Sequence, residues 1–345
     1  MTVERYELAP GYRISRMLRG GWQLAGGHGP VDQMRAIDDM AAFVDQGITT
    51  FDCADIYTGV EEMIGVFRAQ AGEERRRRLK VHTKFVPDLG HLHQVDRVYV
   101  ERVIDRSLRR LRTDRLDLVQ FHWWDYAVPG WQETAAWLVH LQKAGKIHLL
   151  GGTNFDRNHS AALIDAGMPL VSMQSQYSLL DSRVEKGLVS LCEGSGMKLL
   201  CYGTLAGGFL SEHWLGRSEP DGFENRSLIK YKLIIDDVGG WELFQALLQR
   251  LKAVADRHGV AIGNVATRWV LDRPQVAGVI VGSRYADHLA DNLRTFSFEL
   301  DQDDHRAIDE ILAQRRTLEG DCFDLERDRD GRHGRIMKYD LSRAT

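Results

Sequence analysis

The stretch DRVYVERVIDRSLRRLRTDRLDLVQF, Asp96 to Phe121, decides the fold. In its first part Val100, Val103, Ile104, Leu108 and Leu111 return at helical spacing, while Arg106, Arg109 and Arg110 point elsewhere. Its second part, Leu116–Phe121, is a short apolar run of the kind that forms a buried strand. A helix handing over directly to a strand is one unit of a βα alternation, and the rest of the chain repeats it. Strands are expected at Arg19–Trp22, Thr49–Cys53, Lys80–Phe85, Leu116–Phe121, His148–Thr153, Val171–Gln174, Leu199–Tyr202 and Val276–Val281. Eight such units predict an α/β fold, a closed (β/α)8 TIM barrel. The rival, a doubly wound sheet, normally carries a GxGxxG turn after its first strand, and Gly26-Gly27-His28-Gly29 does not match it.

One domain suffices for 345 residues. Residues 1–316 are expected to form the barrel, with Thr204 to Gly240 as a long loop after the seventh strand. Residues 317–345 form a charged tail, to be read as a mobile surface segment or as a flap over the barrel mouth. The charged run Arg75–Arg78 is expected in a solvated turn.

Composition narrows the function. Hydrophobic residues make up 43% and charged ones 27%, with a net charge of -4, so no global field draws the chain to nucleic acid or to an anionic membrane. A small molecule is the expected partner. Cys53, Cys192, Cys201 and Cys322 show neither CxxC nor zinc spacing and are expected to be reduced thiols. The segment Met1 to Pro10 lacks a leader pattern and no apolar run is long enough for a membrane span, so a cytoplasmic setting is expected. His91 and His93 form an HxH pair, yet no further ligands complete a metal site around them in sequence.

Barrel enzymes gather their chemistry at the C-terminal ends of the strands. There stand Asp52 and Tyr57 after the second strand, Lys84 after the third and His122 after the fourth. Singly, each has a structural explanation as turn cap, rim packing, solvated charge or backbone partner. Together they suit reduction of a carbonyl, because hydride delivery to carbon leaves charge on oxygen that needs a proton and positioned donors. Tyr57 is the expected proton donor. Lys84 is expected to draw its pKa down from about 10, with Asp52 holding Lys84 charged and His122 donating to the carbonyl oxygen.

These residues lie in motifs that resemble the aldo-keto reductase superfamily from about Gly20 to Leu312. The motifs are Phe51-Asp52-Cys53-Ala54-Asp55-Ile56-Tyr57 with Glu61-Glu62-Met63-Ile64-Gly65, then Thr83-Lys84, Phe121-His122, Gly152-Thr153-Asn154-Phe155 and Gln174-Ser175-Gln176-Tyr177. The branch resembled includes the potassium-channel β subunits and related bacterial reductases. The resemblance implies an NAD(P)H-dependent oxidoreductase without a metal, with Asp52, Tyr57, Lys84 and His122 as its catalytic tetrad. It further implies that Asn154 and Gln174 bind the nicotinamide carboxamide and that Tyr202 stacks on the ring. Gly21 and Trp22 would line the ribose side, Gly21 standing where threonine is commoner and leaving a backbone contact available. Gly203, Thr204, Leu205, Ala206 and Gly207 would fold over the pyrophosphate, with Arg226 reaching the phosphates. Gly282, Ser283, Arg284, His288, Asp291 and Asn292 would form the adenosine site. Arg284 is placed to meet a 2′-phosphate, which favours NADP(H) over NAD(H). His288 and Asp291 stand where glutamine and glutamate are commoner.

Trp22, Trp123 and Trp124 are candidate walls of a substrate pocket, with core packing as the alternative for the last two. The substrate is expected to be an aldehyde or ketone, or an alcohol in the reverse direction. A cofactor-sensing regulatory protein with little turnover is the alternative on the same fold, and a metal-dependent barrel hydrolase is a third class.

Overall fold

The computed structural model describes residues 2–223 and 225–341. The strands β1 (Arg5–Ala9) and β2 (Tyr12–Ser15) form an antiparallel hairpin that the sequence pattern did not reveal. Eight parallel strands follow: β3 (Met17–Gly20), β4 (Thr50–Asp52), β5 (Lys80–Phe85), β6 (Leu116–Phe121), β7 (Ile147–Thr153), β8 (Leu170–Gln176), β9 (Lys198–Tyr202) and β10 (Val276–Gly282). They pair in chain order and β10 closes against β3, making the expected barrel. The helices α1 (Gln33–Asp45), α2 (Val60–Gln70), α3 (Gly72–Arg78), α4 (Arg97–Leu111), α5 (Trp131–Lys143), α6 (Arg157–Asp165) and α7 (Leu188–Ser195) lie between strands. Further along come α8 (Arg226–Val238), α9 (Gly240–His258), α10 (Ile262–Leu271), α11 (Leu289–Leu293), α12 (Gln302–Leu312) and α13 (Asp324–Arg327).

The deciding stretch folds as its pattern predicts. The Asp96 carboxylate caps α4 by accepting from the Tyr99 amide at 2.7 Å, and Arg112 ends it in the left-handed region at φ 51°. Val100, Val103, Ile104 and Leu111 are buried and Leu108 is half-buried. The first barrel strand departs from expectation: it ends at Gly20 instead of Trp22. Gly21 leaves the ladder by donating its amide to the Asp52 carbonyl at 2.8 Å, and Trp22 opens a 3-10 turn, Trp22–Leu24.

The hairpin plugs the N-terminal end of the barrel. Leu8, Tyr12 and Ile14 pack with Leu18, Leu118, Leu200, Ala277 and Ile280 inside it. There the Tyr12 hydroxyl lies 3.2 Å from His82 Nε2, and burial pushes the His82 imidazole down to about 3, which keeps it neutral. With this end filled, access to the interior is left to the opposite mouth.

Two sequence expectations are corrected here, and one left open, the tail, can be described. The run Arg75–Arg78 is the end of α3 and not a turn, because Arg75 grips Asp45 through two bonds of 2.7 Å and Arg78 donates to the Val44 carbonyl at 2.8 Å. The segment Thr204 to Gly240 is not a plain loop, since it contains α8, capped by the Asn225 side chain on the Leu228 amide. Within the tail, the described part, 317–341, makes specific contacts on the mouth side; residues 342–345 lie outside the described residues. Arg327 donates to the carbonyls of Asn154 (2.8 Å) and Trp123 (3.0 Å). The Leu89 amide donates to the Tyr339 carbonyl at 3.0 Å, and the Leu341 amide to Asp88 Oδ1 at 2.9 Å.

Glu326 anchors this tail. It is fully buried between Arg183 (3.2 Å) and Lys230 (3.1 Å), and Arg183 is shared with Asp181 at 2.7 Å. Burial works against the Glu326 carboxylate, but the two cations outweigh it and hold its pKa far below the ordinary 4.5. Its contribution is therefore complete above the ordinary value and fades only as pH falls towards the lower folded-state value. Replacing Glu326 by Ala would strip Lys230 of its buried carboxylate and leave Arg183 with Asp181 alone. A loss of about 3 kcal/mol in urea unfolding is expected, together with faster proteolysis of the tail.

Candidate active site

Closure of the barrel sets Asp52, at the end of β4, beside Lys84 in β5 and His122 just beyond β6. Tyr57 comes from the turn that precedes α2. Lys84 Nζ donates to Asp52 Oδ2 at 2.7 Å and to the Cys53 carbonyl at 2.8 Å, with both charged side chains buried. The same ammonium lies 5.1 Å from the centre of the Tyr57 ring. Asp52 Oδ1 accepts from Gln174 Nε2 at 2.6 Å and from Gln120 Nε2 at 3.1 Å, and Gln174 also donates to Gln120 Oε1 at 3.0 Å. Gln120 was missed in the sequence. Its signal was its place near the C-terminal end of β6, two residues before His122.

Burial opposes the Lys84 charge, and the fields of Asp52 and Tyr57 more than restore it, so its pKa is raised. For Tyr57 the balance differs from expectation. Burial raises the phenol, and the nearby ammonium of Lys84 pulls it back only in part, leaving it above its ordinary value. Tyr57 is thus a protonated phenol at neutral pH.

His122 also departs from expectation. Its Nδ1 lies 2.9 Å from the Thr153 carbonyl, a group that only accepts, so Nδ1 carries the proton. Burial and the Arg327 charge push the imidazole down to about 3. A neutral ring with its proton on Nδ1 presents a lone pair at Nε2. His122 is therefore an acceptor there and not the donor inferred from sequence. That Nε2 is buried and has no hydrogen-bond partner among the described residues.

The three tryptophans part company. Trp22 is 38% exposed and its ring centre is 5.0 Å from that of Tyr57. Trp123 is no pocket wall, because it is fully buried in the core and donates Nε1 to the Val128 carbonyl at 3.0 Å. Trp124 packs edge to face with His122, 4.3 Å between ring centres, under Phe323 and Tyr339 of the tail.

Several of the other named residues converge on the mouth. The Tyr202 hydroxyl donates to Asn154 Oδ1 at 2.9 Å. With Gln174 donating through its nitrogen, Asn154 retains an amide donor and Gln174 a carbonyl acceptor. The segment Gly203 to Gly207 turns tightly: Gly203, Ala206 and Gly207 have φ of 74°, 47° and 66°. A Cβ on Gly207 would lie 2.7 Å from the Tyr231 ring. Thr204 is buried and Leu205 half-buried. Gly282 ends β10 and Ser283 follows it, and the Arg284 guanidinium donates to the His28 carbonyl while His28 Nε2 lies 3.1 Å from Ser227 Oγ.

The remaining candidate contacts are placed as follows. The Gly21 amide is spent on Asp52, and a Cβ there would lie 2.9 Å from the Asp52 carbonyl, so close packing accounts for this glycine and its N–H is unavailable to a ligand. Arg226 is exposed at the start of α8, as are His288 and Asp291 beyond β10, with Asn292 half-buried. The Asp291 carbonyl accepts from Asn264 at 2.8 Å and its carboxylate is 3.7 Å from Arg294. His91 and His93 lie in the turn Leu89–Gln94, and no group of three His, Cys, Asp or Glu side chains able to hold a metal ion occurs among the described residues.

Comparison with known proteins identifies the family. Residues 16–313 match the model of the aldo/keto reductase family. The chain is 29% identical over 308 residues to Aldo-keto reductase YhdN of Bacillus subtilis, covering 88% of this chain and 91% of that one. It is 27% identical over 315 residues to L-glyceraldehyde 3-phosphate reductase of Escherichia coli O157:H7, covering 86% and 89%. The solved glycerol dehydrogenase AKR11B4 of Gluconobacter oxydans superposes with a TM-score of 0.76 at 25% identity, covering 93% of this chain and 98% of that one. The chain belongs to the aldo/keto reductase family. It is a carbonyl-reducing oxidoreductase of a family that uses nicotinamide cofactors.

The geometry makes Gln120 a support of the buried carboxylate. Gln120→Leu would leave Asp52 and Gln174 each short of one partner, and a destabilisation of about 1–3 kcal/mol is expected in urea unfolding. An unchanged midpoint would show that the amide bears no part of the load.

Proposed function

We propose that the chain reduces an aldehyde or ketone with NADPH, with Tyr57 as proton donor. The observation that carries this reading is the buried Lys84–Asp52 pair, 2.7 Å, set against the Tyr57 ring. Bound NADPH would supply the hydride. The chain's part is then to hold the carbonyl, give its oxygen a proton and keep the proton donor poised. Tyr57 is protonated at neutral pH, as an acid must be, and Lys84 stabilises the phenolate left behind. Asp52, Gln120 and Gln174 keep Lys84 in place, since an ammonium buried without its carboxylate would tend to lose its charge.

The residues suit the cofactor. The free donor of Asn154 and free acceptor of Gln174 complement the two ends of a carboxamide, and Tyr202 beside them offers an aromatic face. The left-handed turn from Gly203 to Gly207 lets backbone come close to phosphates, with Arg226 near its far end. Arg284 lies within 3.8 Å of the position a Cβ would take on Gly29, so the loop Gly26–Gly29 closes over it. A planar guanidinium there suits a 2′-phosphate, which favours NADP(H) over NAD(H). The proposed setting is the cytoplasm, and among the described residues no helix is long and apolar enough to cross a membrane.

Turnover decides between this reading and cofactor sensing. Absorbance of NADPH over time with a panel of aldehydes is expected to fall with wild type and to fall at least a hundredfold more slowly with Tyr57→Phe. NADPH binding without turnover on any carbonyl would overturn the reading. The raised Tyr57 pKa sets the sign of the pH dependence. Alcohol oxidation needs the phenolate and is expected to keep rising up to at least about pH 10, while reduction stays flat through neutrality. Arg284→Ala is expected to weaken NADPH binding about ten- to a hundredfold and NADH binding much less, as measured by fluorescence titration.

A further inference from the structure

A half-open cavity of about 240 Å³ lies at the root of the tail. Its walls come from the loop after β8, from Val238 at the end of α8, from the end of α12 and from the first residues of the tail. None of them belongs to the tetrad or to the groups assigned to the cofactor. The polar side chains that line it are Ser182, Arg183, Lys186, Arg315, Arg316 and Thr317. These are four cations and two hydroxyls, with no carboxylate among the lining residues.

Arg183 is already balanced, because Asp181 and Glu326 engage all of its nitrogens. The other three cations are not. Lys186, Arg315 and Arg316 form no ion pair with a carboxylate among the described residues, and the partners they hold are backbone carbonyls. Lys186 donates to the carbonyl of Leu318 and, at 3.2 Å, to that of Gly320. Arg315 donates to the Leu312 carbonyl at 3.2 Å and to that of Leu179, and Arg316 to the Asp236 carbonyl at 2.8 Å. Carbonyl capping explains where these side chains rest but leaves their charge uncompensated. For Arg315 burial lowers the pKa, and the fields of Glu185 and Asp181, which act in the opposite sense, do not make up the difference. A buried cation without a counter-charge is costly, and like charges around one cavity repel. An anion in the cavity would relieve both.

The donors decide the class of that anion. Two guanidinium forks, an ammonium and two hydroxyls present many N–H and O–H groups to one space. A phosphate group has three acceptor oxygens and close to two negative charges, so it can engage several of them together, whereas a carboxylate brings two oxygens and one charge. The cavity also far exceeds the ~10–15 Å³ that admits a water, so a short carbon skeleton fits beside the phosphate.

We propose that this cavity is a phosphate-binding site separate from the cofactor groove, with Arg315, Arg316 and Lys186 as its charged donors, and that it takes a phosphate group carried by a small phosphomonoester or free in solution. An occupant there joins the loop after β8 to the end of α12 and fixes where the tail leaves the barrel. The inference does not rest on the reductase reading.

The test titrates the full chain with ethyl phosphate and with inorganic phosphate, by calorimetry in a phosphate-free amine buffer at low salt. Ethyl phosphate is expected to bind. Arg315→Gln and Arg316→Gln are each expected to weaken that binding about ten- to a hundredfold, whereas Arg284→Ala, which alters the proposed cofactor groove, should leave it within about twofold. Tighter binding of ethyl phosphate than of inorganic phosphate would make a phosphomonoester the ligand, and equal binding would make it free phosphate at the same site. Should Arg315→Gln fail to fold, Arg316→Gln carries the test, because Arg316 is exposed. Absence of binding by either phosphate would overturn the proposal. So would binding that Arg316→Gln leaves unchanged, or that Arg284→Ala weakens as much as Arg316→Gln does.

Discussion

Most of the site hangs on the 2.7 Å contact between Lys84 and Asp52 inside the barrel mouth. Each charge alone would cost several kcal/mol to bury, so the pair persists only where geometry and further hydrogen bonds are supplied. The barrel supplies them by register. Asp52 lies beside His82 across β4 and β5, Lys84 beside Gln120 across β5 and β6, and Gln174 reaches the same carboxylate from β8. Four strands therefore converge on one ion pair, and a slip of any strand by one residue would turn its inward groups outward. The Lys84 ammonium, held charged in this way, then acts on the Tyr57 phenol.

The strand repeat was legible because it depends on short-range pattern. Apolar runs with period two and helical stripes with period 3.6 survive in sequence whatever packs against them. Asp52, Tyr57, Lys84 and His122 could be singled out because charged or polar residues at strand ends stand out from apolar neighbours. The roles were less legible. Whether His122 donates or accepts depends on one backbone carbonyl, Thr153, contributed by the next strand. Whether Lys84 or burial dominates at Tyr57 is a balance of two opposed effects, and no spacing rule encodes it. Trp123 and Trp124 are adjacent in the chain, yet one is core and the other adjoins the site, a distinction set by which way each side chain leaves the loop.

The tail was the least legible part. Dense charge between Asp321 and Asp330 suits a solvated segment by composition. What composition hides is that Glu326 has two cations waiting in the folded protein, Arg183 from the loop after β8 and Lys230 from α8. A charge run becomes an anchor when its partners are distant in sequence.

Barrel and tail differ in how they are held. The match to the family model ends at residue 313, and all groups assigned here to proton transfer and cofactor binding fall before it. Phe323, Arg327 and Tyr339, which cover His122 and Trp124 or tie down the adjoining backbone, all fall after it. Chemistry common to the family is thus held by strands whose register admits little variation. The segment that covers His122 and Trp124 is held instead by side-chain ion pairs and a few backbone bonds, where changes in sequence disturb the barrel least. Trp124 sits at the seam between the two, fixed to His122 on one side and to the tail on the other.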